Sequence, residues 1–436
     1  VLLGGSSKKL LSRSAAFVPL PMAVNSNSTP CIILTDPASV AEETRLYFTG
    51  LYKCSAPPDK PKPWLTAPSV SIVKRRVMDD PFVWPIAANL ADFHAMLHKG
   101  NPRPSPSPDR WEKWCVKNLS DKVLQLVLDL HNYSVINASF PGDIKDTHLT
   151  YFHKCGIHTD LSNWRGLLIS NFLANSPMTW LNFKLSPYAA RMGIIPETQV
   201  ATQPGVQTCD LMSFLSGLKT WSHRTKTPLY LLKRDQMKGF DYLSPKGFYD
   251  ACTAYGLPPA IAELDRAAQS STQCFPRTAF GIADPIIVEG VTKQGGPMSP
   301  FKATITTSLG HRYLDDLASS DPDCVIIQSM SKLVNDPHLP DDAALLCFTM
   351  AKATDDSYIA ALTFSALQRF TLAMERFQFM YGWLTLWEKT TLHVLNSPNV
   401  LPKTLPLKSI SNVQGIDPWT ITEHEVPVSA NEFNFL

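Results

Sequence analysis

An apolar β run that ends on a carboxylate is the feature that most narrows the folds open to this chain. Residues 228–232, PLYLL, are apolar, too short for an independent helix and without helical periodicity, so they read as a buried strand. The phrase KRDQMKGFD over 233–241 then sets Asp235 at the C-terminal tip of that strand. A carboxylate there can hold a metal ion. Taken alone it can equally cap a turn or a helix.

Three later segments weigh on that choice. EGVTKQGGPMSP (289–300) is a tight Gly/Pro-rich loop that opens a helix running through FKATITTSLGHRYLDDLA. A strand-like CFTMAKAT ends in Asp355-Asp356, followed by SYIAAL and an amphipathic helix whose core stripe is Leu367, Phe370, Met374, Phe377 and Tyr381. GWLTLWEKT (382–390) closes the series. The order Asp-x-x-Lys-x-Phe-Asp, Gln-Gly-x-Pro-x-Ser-Pro, Asp-Asp, Gly-Trp-Leu-x-x-Trp-x-Lys-Thr resembles motifs A to D of reverse transcriptases. The likeness is to the non-LTR (LINE-type) retrotransposon polymerases, over residues 100–436.

That resemblance implies an RNA-directed DNA polymerase of mixed α+β class. Its right-hand fold would have a palm of antiparallel sheet packed on helices, fingers, and a thumb that is missing or incomplete. It also implies two Mg²⁺ ions, with Mn²⁺ as a substitute, held by Asp235, Asp355 and Asp356. The partners implied are an RNA template, a DNA primer and deoxynucleoside triphosphates. The residue types suit such chemistry: a primer 3′-hydroxyl attacks an α-phosphorus in line while pyrophosphate leaves, and two divalent ions can stabilise both oxygens. Mg²⁺ takes oxygen ligands and keeps room for water and phosphate. Adjacent side chains of a strand point to opposite faces, so both aspartates of a pair approach one site only at a hairpin turn.

Four Asp-Asp pairs occur, and Tyr313-Leu314-Asp315-Asp316 spells the Tyr-x-Asp-Asp phrase common in reverse transcriptases. It lies too soon after Gly295: a helix rising about 1.5 Å per residue carries Asp315 away from the loop, with no return strand. It is therefore expected to be a solvated helix end. Asp79-Asp80 and Asp341-Asp342 sit in Pro-flanked polar stretches and read as loops.

Further roles follow from the resemblance. Phe240 would lie under the incoming sugar and reject a 2′-hydroxyl. Gln294 and Gly295 would let backbone approach the nucleotide and template base. Lys154, in FHKCG, and Arg165, in DLSNWRGLLISN, would neutralise the triphosphate. Lys389 would be either a general acid for pyrophosphate or a structural cation. Gln199 and Gln207 are secondary template contacts. Gly296 and Thr354 depart from the family pattern, which usually has an acidic and an aromatic residue there.

The 436 residues, 44% of them hydrophobic, suffice for two or three compact subdomains. Net charge is only +2, so bulk electrostatics give no argument for nucleic-acid binding, although a local basic groove is compatible with it. Nine cysteines without a Cys-x-x-Cys pair argue against a zinc knuckle and for reduced thiols. Cys155 with His158, and His94 with His98, read as ordinary residues. No apolar run matches a membrane span and no signal-peptide pattern opens the chain, so an intracellular setting, nuclear or cytoplasmic and not secreted, is expected.

Along the chain, 1–78 reads as linker-like and mostly disordered, 79–227 as an N-terminal extension and fingers, and 228–395 as a palm with an insertion near 319–346. Residues 396–436 read as the start of a connection to a missing thumb, with the final NEFNFL resembling a primer-gripping strand. The expected object is a retroelement fragment without endonuclease or thumb. Two readings stay open: an active polymerase, or a catalytically inactive remnant that binds nucleic acid or protein.

Overall fold

The computed structural model describes residues 23–25, 32–53, 60–84, 86–99, 109, 111, 113–200, 202–203, 205–237, 239–288, 290–328, 345–353, 356–411 and 419–430. The chain is mixed α+β. It divides into two compact units, one formed by Val1–Cys54, Val83–Leu185 and Pro258–Ser299, the other by Ser55–Phe82, Ser186–Leu257 and Pro300–Leu436.

In the second unit the apolar run forms the strand Leu229–Arg234, third in a six-stranded sheet. The strand order is Met350–Ala353, Asp356–Ala361, Leu229–Arg234, Thr391–Leu395, Ile421–Ala430, Thr404–Ile410. Leu229, Leu231 and Leu232 are fully buried, which is why the segment lacks the alternation of a half-exposed strand. Leu211, Leu215 and Leu218 of the helix Thr208–Thr225 pack with Leu229 and Leu231. Tyr230 points the other way, its ring 6.4 Å from Phe364 at the start of the helix Phe364–Met380. The expected stripe on that helix, Leu367 through Tyr381, is buried.

The sheet differs from the all-antiparallel palm expected, because Thr391–Leu395 and Ile421–Ala430 run parallel. Thr404–Ile410 pairs antiparallel with Ile421–Ala430, and it is the latter that joins the sheet, running in the same sense as Thr391–Leu395. They complete the sheet edge where the start of a thumb connection was expected, and NEFNFL lies outside the described residues. Of the expected insertion, Val325–Gln328 and Leu345–Phe348 pair as an antiparallel ribbon, and 329–344 lie outside the described residues.

Two further expectations are corrected. The described residues of the N-terminal segment expected to be linker-like include the helices Pro37–Tyr52, in the first unit, and Pro68–Asp79, in the second. Val40, Thr44, Phe48 and Leu51 bury one side of the former, and Val70, Val73 and Val77 one side of the latter. These stripes recur at helical spacing within Pro- and Ser-rich sequence that masks them. Trp64, 1% exposed, donates to Tyr381 Oη at 2.9 Å, and Lys62 pairs with Asp250 at 2.8 Å. A fully buried large apolar side chain contributes roughly 1.5–3 kcal/mol, which outweighs the local linker composition. The expected boundary at 227 also moves, since the helix Thr208–Thr225 packs on the second unit's sheet while Pro258–Ser299 belongs to the first unit.

The first unit is built on a five-stranded sheet. Trp164–Ser170 pairs antiparallel with Thr147–His153, which runs parallel to Thr272–Thr278, and Gly281–Ile282 and Ile286–Val288 both pair with the last. Phe93, Leu97, Leu124, Leu128 and Trp180 form a helical core in the same unit.

Candidate nucleotidyl-transfer site

Two of the three predicted carboxylates are described, Asp235 just after one strand and Asp356 at the start of its neighbour. Leu229–Arg234 pairs antiparallel with Asp356–Ala361, ending at Ser357 opposite Arg234. Asp235 and Asp356 are each the next residue beyond that last pair, at the same end of the two strands. The hairpin Met350–Ala353 to Asp356–Ala361 closes with Ala353 opposite Asp356. Thr354 and Asp355, between them, lie outside the described residues.

Asp235 is also where its strand changes partners. Its carbonyl accepts from Leu386 N at 2.9 Å, and Gln236–Met237 pairs antiparallel with Leu384–Thr385 of the GWLTLWEKT segment. This exchange carries Lys389 to the carboxylate, Nζ lying 3.5 Å from Asp235 Oδ2. The lysine is 67% exposed and Asp235 is 26% exposed, so the carboxylate remains reachable from solvent. Phe240 is half-buried in the short helical turn Gly239–Tyr242 just beyond.

Beneath Asp235 lies a network that the sequence reading missed. Arg234 donates to Glu375, to Gln378 Oε1 at 2.5 Å and to Thr385 Oγ1 at 2.8 Å. Glu375 accepts in addition from Thr385 Oγ1 at 2.6 Å and Ser409 Oγ at 3.1 Å. All five residues are buried. The available signal was an arginine in a strand with no exposed face and a glutamate beside the apolar stripe of its helix.

The predicted triphosphate and loop residues belong to the first unit. Arg165 stands opposite Phe152 in the hairpin pairing, and Lys154 follows the first strand, its N–H bonded to Asn163 O at 2.9 Å; both side chains are exposed. The loop bearing Gln294 and Gly295 is fastened to the same hairpin, since Leu168 N donates to Gln294 O at 2.9 Å. Gly295 has φ +98°, and a Cβ there would come within 2.8 Å of Leu168 O and Leu167 Cδ1. Its glycine is thus required by the packing of the loop itself. Beside it lies a cleft of about 300 Å³ lined by Trp111, Lys113, Leu167, Phe172, Asn175 and Gly295, among others.

Asp315 and Asp316 occupy the last turn of the helix Ser299–Ser319. They differ from the expected solvated end in being half-buried and bonded. Asp316 accepts from Ser69 N at 3.0 Å and Ser69 Oγ at 2.8 Å, and Asp315 accepts from Thr349 Oγ1. Burial pushes the Asp315 carboxyl up to about 6. The secondary template candidates have local roles: Gln199 is buried and bridges Lys352, and Gln207 caps the helix Thr208–Thr225 in a capping box with Asp210.

Among the described residues no group of three or more His, Cys, Asp or Glu gathers as a metal site, and no helix is long and apolar enough to cross a membrane. No family model matches the chain, and no curated protein matches it. A solved structure similar to it is that of apo telomerase from Candida tropicalis truncated from its C-terminal domain, at 12% identity and a TM-score of 0.41. The likeness covers 64% of this chain and 55% of that one, so this chain spans little more than half of that protein's length.

Proposed function

We propose that this chain is an RNA-directed DNA polymerase of the reverse-transcriptase class, akin to those of non-LTR retrotransposons, its second unit acting as palm and its first as fingers. The observation that supports the reading is that Asp235 directly follows the strand Leu229–Arg234 and Asp356 opens the strand paired with it, at the end where Ser357 stands opposite Arg234. Both aspartates are hard oxygen donors, and Asp235 is open to solvent, which suits Mg²⁺. Asp235, Asp356 and, by its place in the sequence, Asp355 would hold the ions. Bound there, two divalent ions would stabilise the attacking 3′-oxygen and the departing pyrophosphate.

The remaining work falls to the chain's own side chains. Lys389, already paired with Asp235, would offset charge on the leaving pyrophosphate or give it a proton. Phe240 would close the space that a ribose 2′-hydroxyl needs. By the family resemblance alone, Arg165 and Lys154 are the cations assigned to the triphosphate, and Gln294 and Gly295 the residues assigned to the templating base.

The test is extension of a DNA primer on an RNA template by the full chain with Mg²⁺, comparing wild type with Asp235→Asn and Asp356→Asn. Deoxynucleotide extension that falls at least about 100-fold in each variant is expected, the scale on which loss of one electrostatic group in an active site acts. Extension indifferent to both substitutions would place the chemistry elsewhere. No extension by the wild-type chain would leave the non-catalytic reading.

A further inference from the structure

The ribbon that precedes the Asp356 hairpin holds two cysteines in contact. Cys324 immediately precedes the strand Val325–Gln328, and Cys347 lies in the strand Leu345–Phe348. Cys347 stands opposite Ile326, and alternation puts Cys324 on the same face as Ile326, so the two thiols are diagonal neighbours on one face. Their sulfurs are 2.8 Å apart. A disulfide holds its sulfurs at about 2.05 Å, so closure asks for a movement of less than about 1 Å. The two thiols are unequal in access: Cys347 is exposed and Cys324 buried.

We propose that Cys324 and Cys347 form a reversible disulfide, a redox modification site built into this ribbon and independent of the polymerase reading. Hydrogen bonding from Cys324 holds the Cys347 thiol below its ordinary range, and the exposed sulfur is the one an oxidant can reach. With glutathione disulfide as oxidant, the Cys347 thiolate attacks one sulfur and expels a glutathione thiolate, leaving a mixed disulfide. Cys324 gives up its proton and displaces the second glutathione from Cys347. Two protein thiols and one glutathione disulfide become one protein disulfide and two glutathione thiols, so atoms and electrons balance. Residue Thr349, between this ribbon and the strand Met350–Ala353, donates to Asp315. The bond would therefore tie down the strand that feeds the Asp356 hairpin.

The full chain is equilibrated in glutathione buffers from reducing to oxidising, trapped with an alkylating agent and mapped by peptide mass. A Cys324–Cys347 linked peptide, lighter by two hydrogens, is expected in the oxidised chain and absent from Cys324→Ser and Cys347→Ser. Hydrogen exchange over 345–353 should slow on oxidation of wild type and stay unchanged in Cys347→Ser, the variant at the exposed position. The proposal is overturned if both thiols stay alkylatable across the series while the exposed Cys155 and Cys209 take up glutathione, or if either links to a different cysteine.

Discussion

The guanidinium of Arg234, one residue before Asp235, is paired with the carboxylate of Glu375 in the interior of the second unit. Through Gln378, Thr385 and Ser409 the pair joins the central strand, the helix Phe364–Met380, the Leu384–Thr385 strand and the edge strand Thr404–Ile410. Removing one partner leaves the other charged and buried, a loss of about 3–5 kcal/mol, whereas replacing both by apolar groups of similar volume is far milder. Glu375→Ala is therefore expected to lower the urea midpoint sharply, and Arg234→Met combined with Glu375→Leu to recover most of it. Equal losses in single and double variants would show that the two side chains are not coupled.

Gly295 presents a different kind of constraint. Its positive φ and the closeness of Leu168 O mean that even a methyl group strains the loop against the hairpin. Gly295→Ala should destabilise the first unit by about 1–3 kcal/mol, the usual scale for a non-glycine residue forced into such backbone. Gly205, also at positive φ but with nothing within 4 Å of a Cβ, supplies the comparison. Gly205→Ala should cost less in the same thermal unfolding measurement.

The strand under Asp235, the helix after Pro300 and the stripe from Leu367 to Tyr381 were legible because burial on a regular element leaves a period in the sequence. The helix Pro68–Asp79 was hidden by its Pro-rich surroundings, and Trp64, its neighbour, is anchored by Tyr381, far along the chain. Pairings of that kind, like Arg234 with Glu375 or Asp316 with Ser69, depend on which elements become neighbours, and no local pattern encodes them. That Asp235 and Asp356 lie at the same end of two paired strands came within reach only through the resemblance, since nothing within either segment fixes which strands become neighbours.

Phe240 tests sugar selection apart from catalysis. If its ring fills the space a 2′-hydroxyl would occupy, Phe240→Val should raise the efficiency of ribonucleotide incorporation relative to deoxynucleotide by at least about 10-fold, equivalent to about 1.4 kcal/mol of discrimination. Primer extension with each nucleotide in turn reads that ratio. A fall in both efficiencies with the ratio unchanged would make Phe240 a packing residue.

Asp315 should leave a pH signature on stability. Burial raises its carboxyl to about 6 in the folded chain, against an ordinary value of 3.8, even though Thr349 and Arg312 pull the other way. The folded state therefore keeps a proton that the unfolded state has released. The stabilisation is complete below pH 3.8 and is lost as pH rises through about 6. Asp315→Asn keeps an acceptor for Thr349 without that titration. The thermal midpoint of the variant, taken relative to wild type, should climb between pH 4 and about 6 and level off above. His311 and His131, pushed down by burial to about 3 and about 4, work in the opposite sense, with stability lost as pH falls below 6.5. Both are present in either chain and so cancel from the difference. A difference that stays flat from pH 4 to 8 would mean that Asp315 titrates as an ordinary solvated carboxylate, and that the last turn of the Ser299–Ser319 helix is as open to water as its sequence suggests.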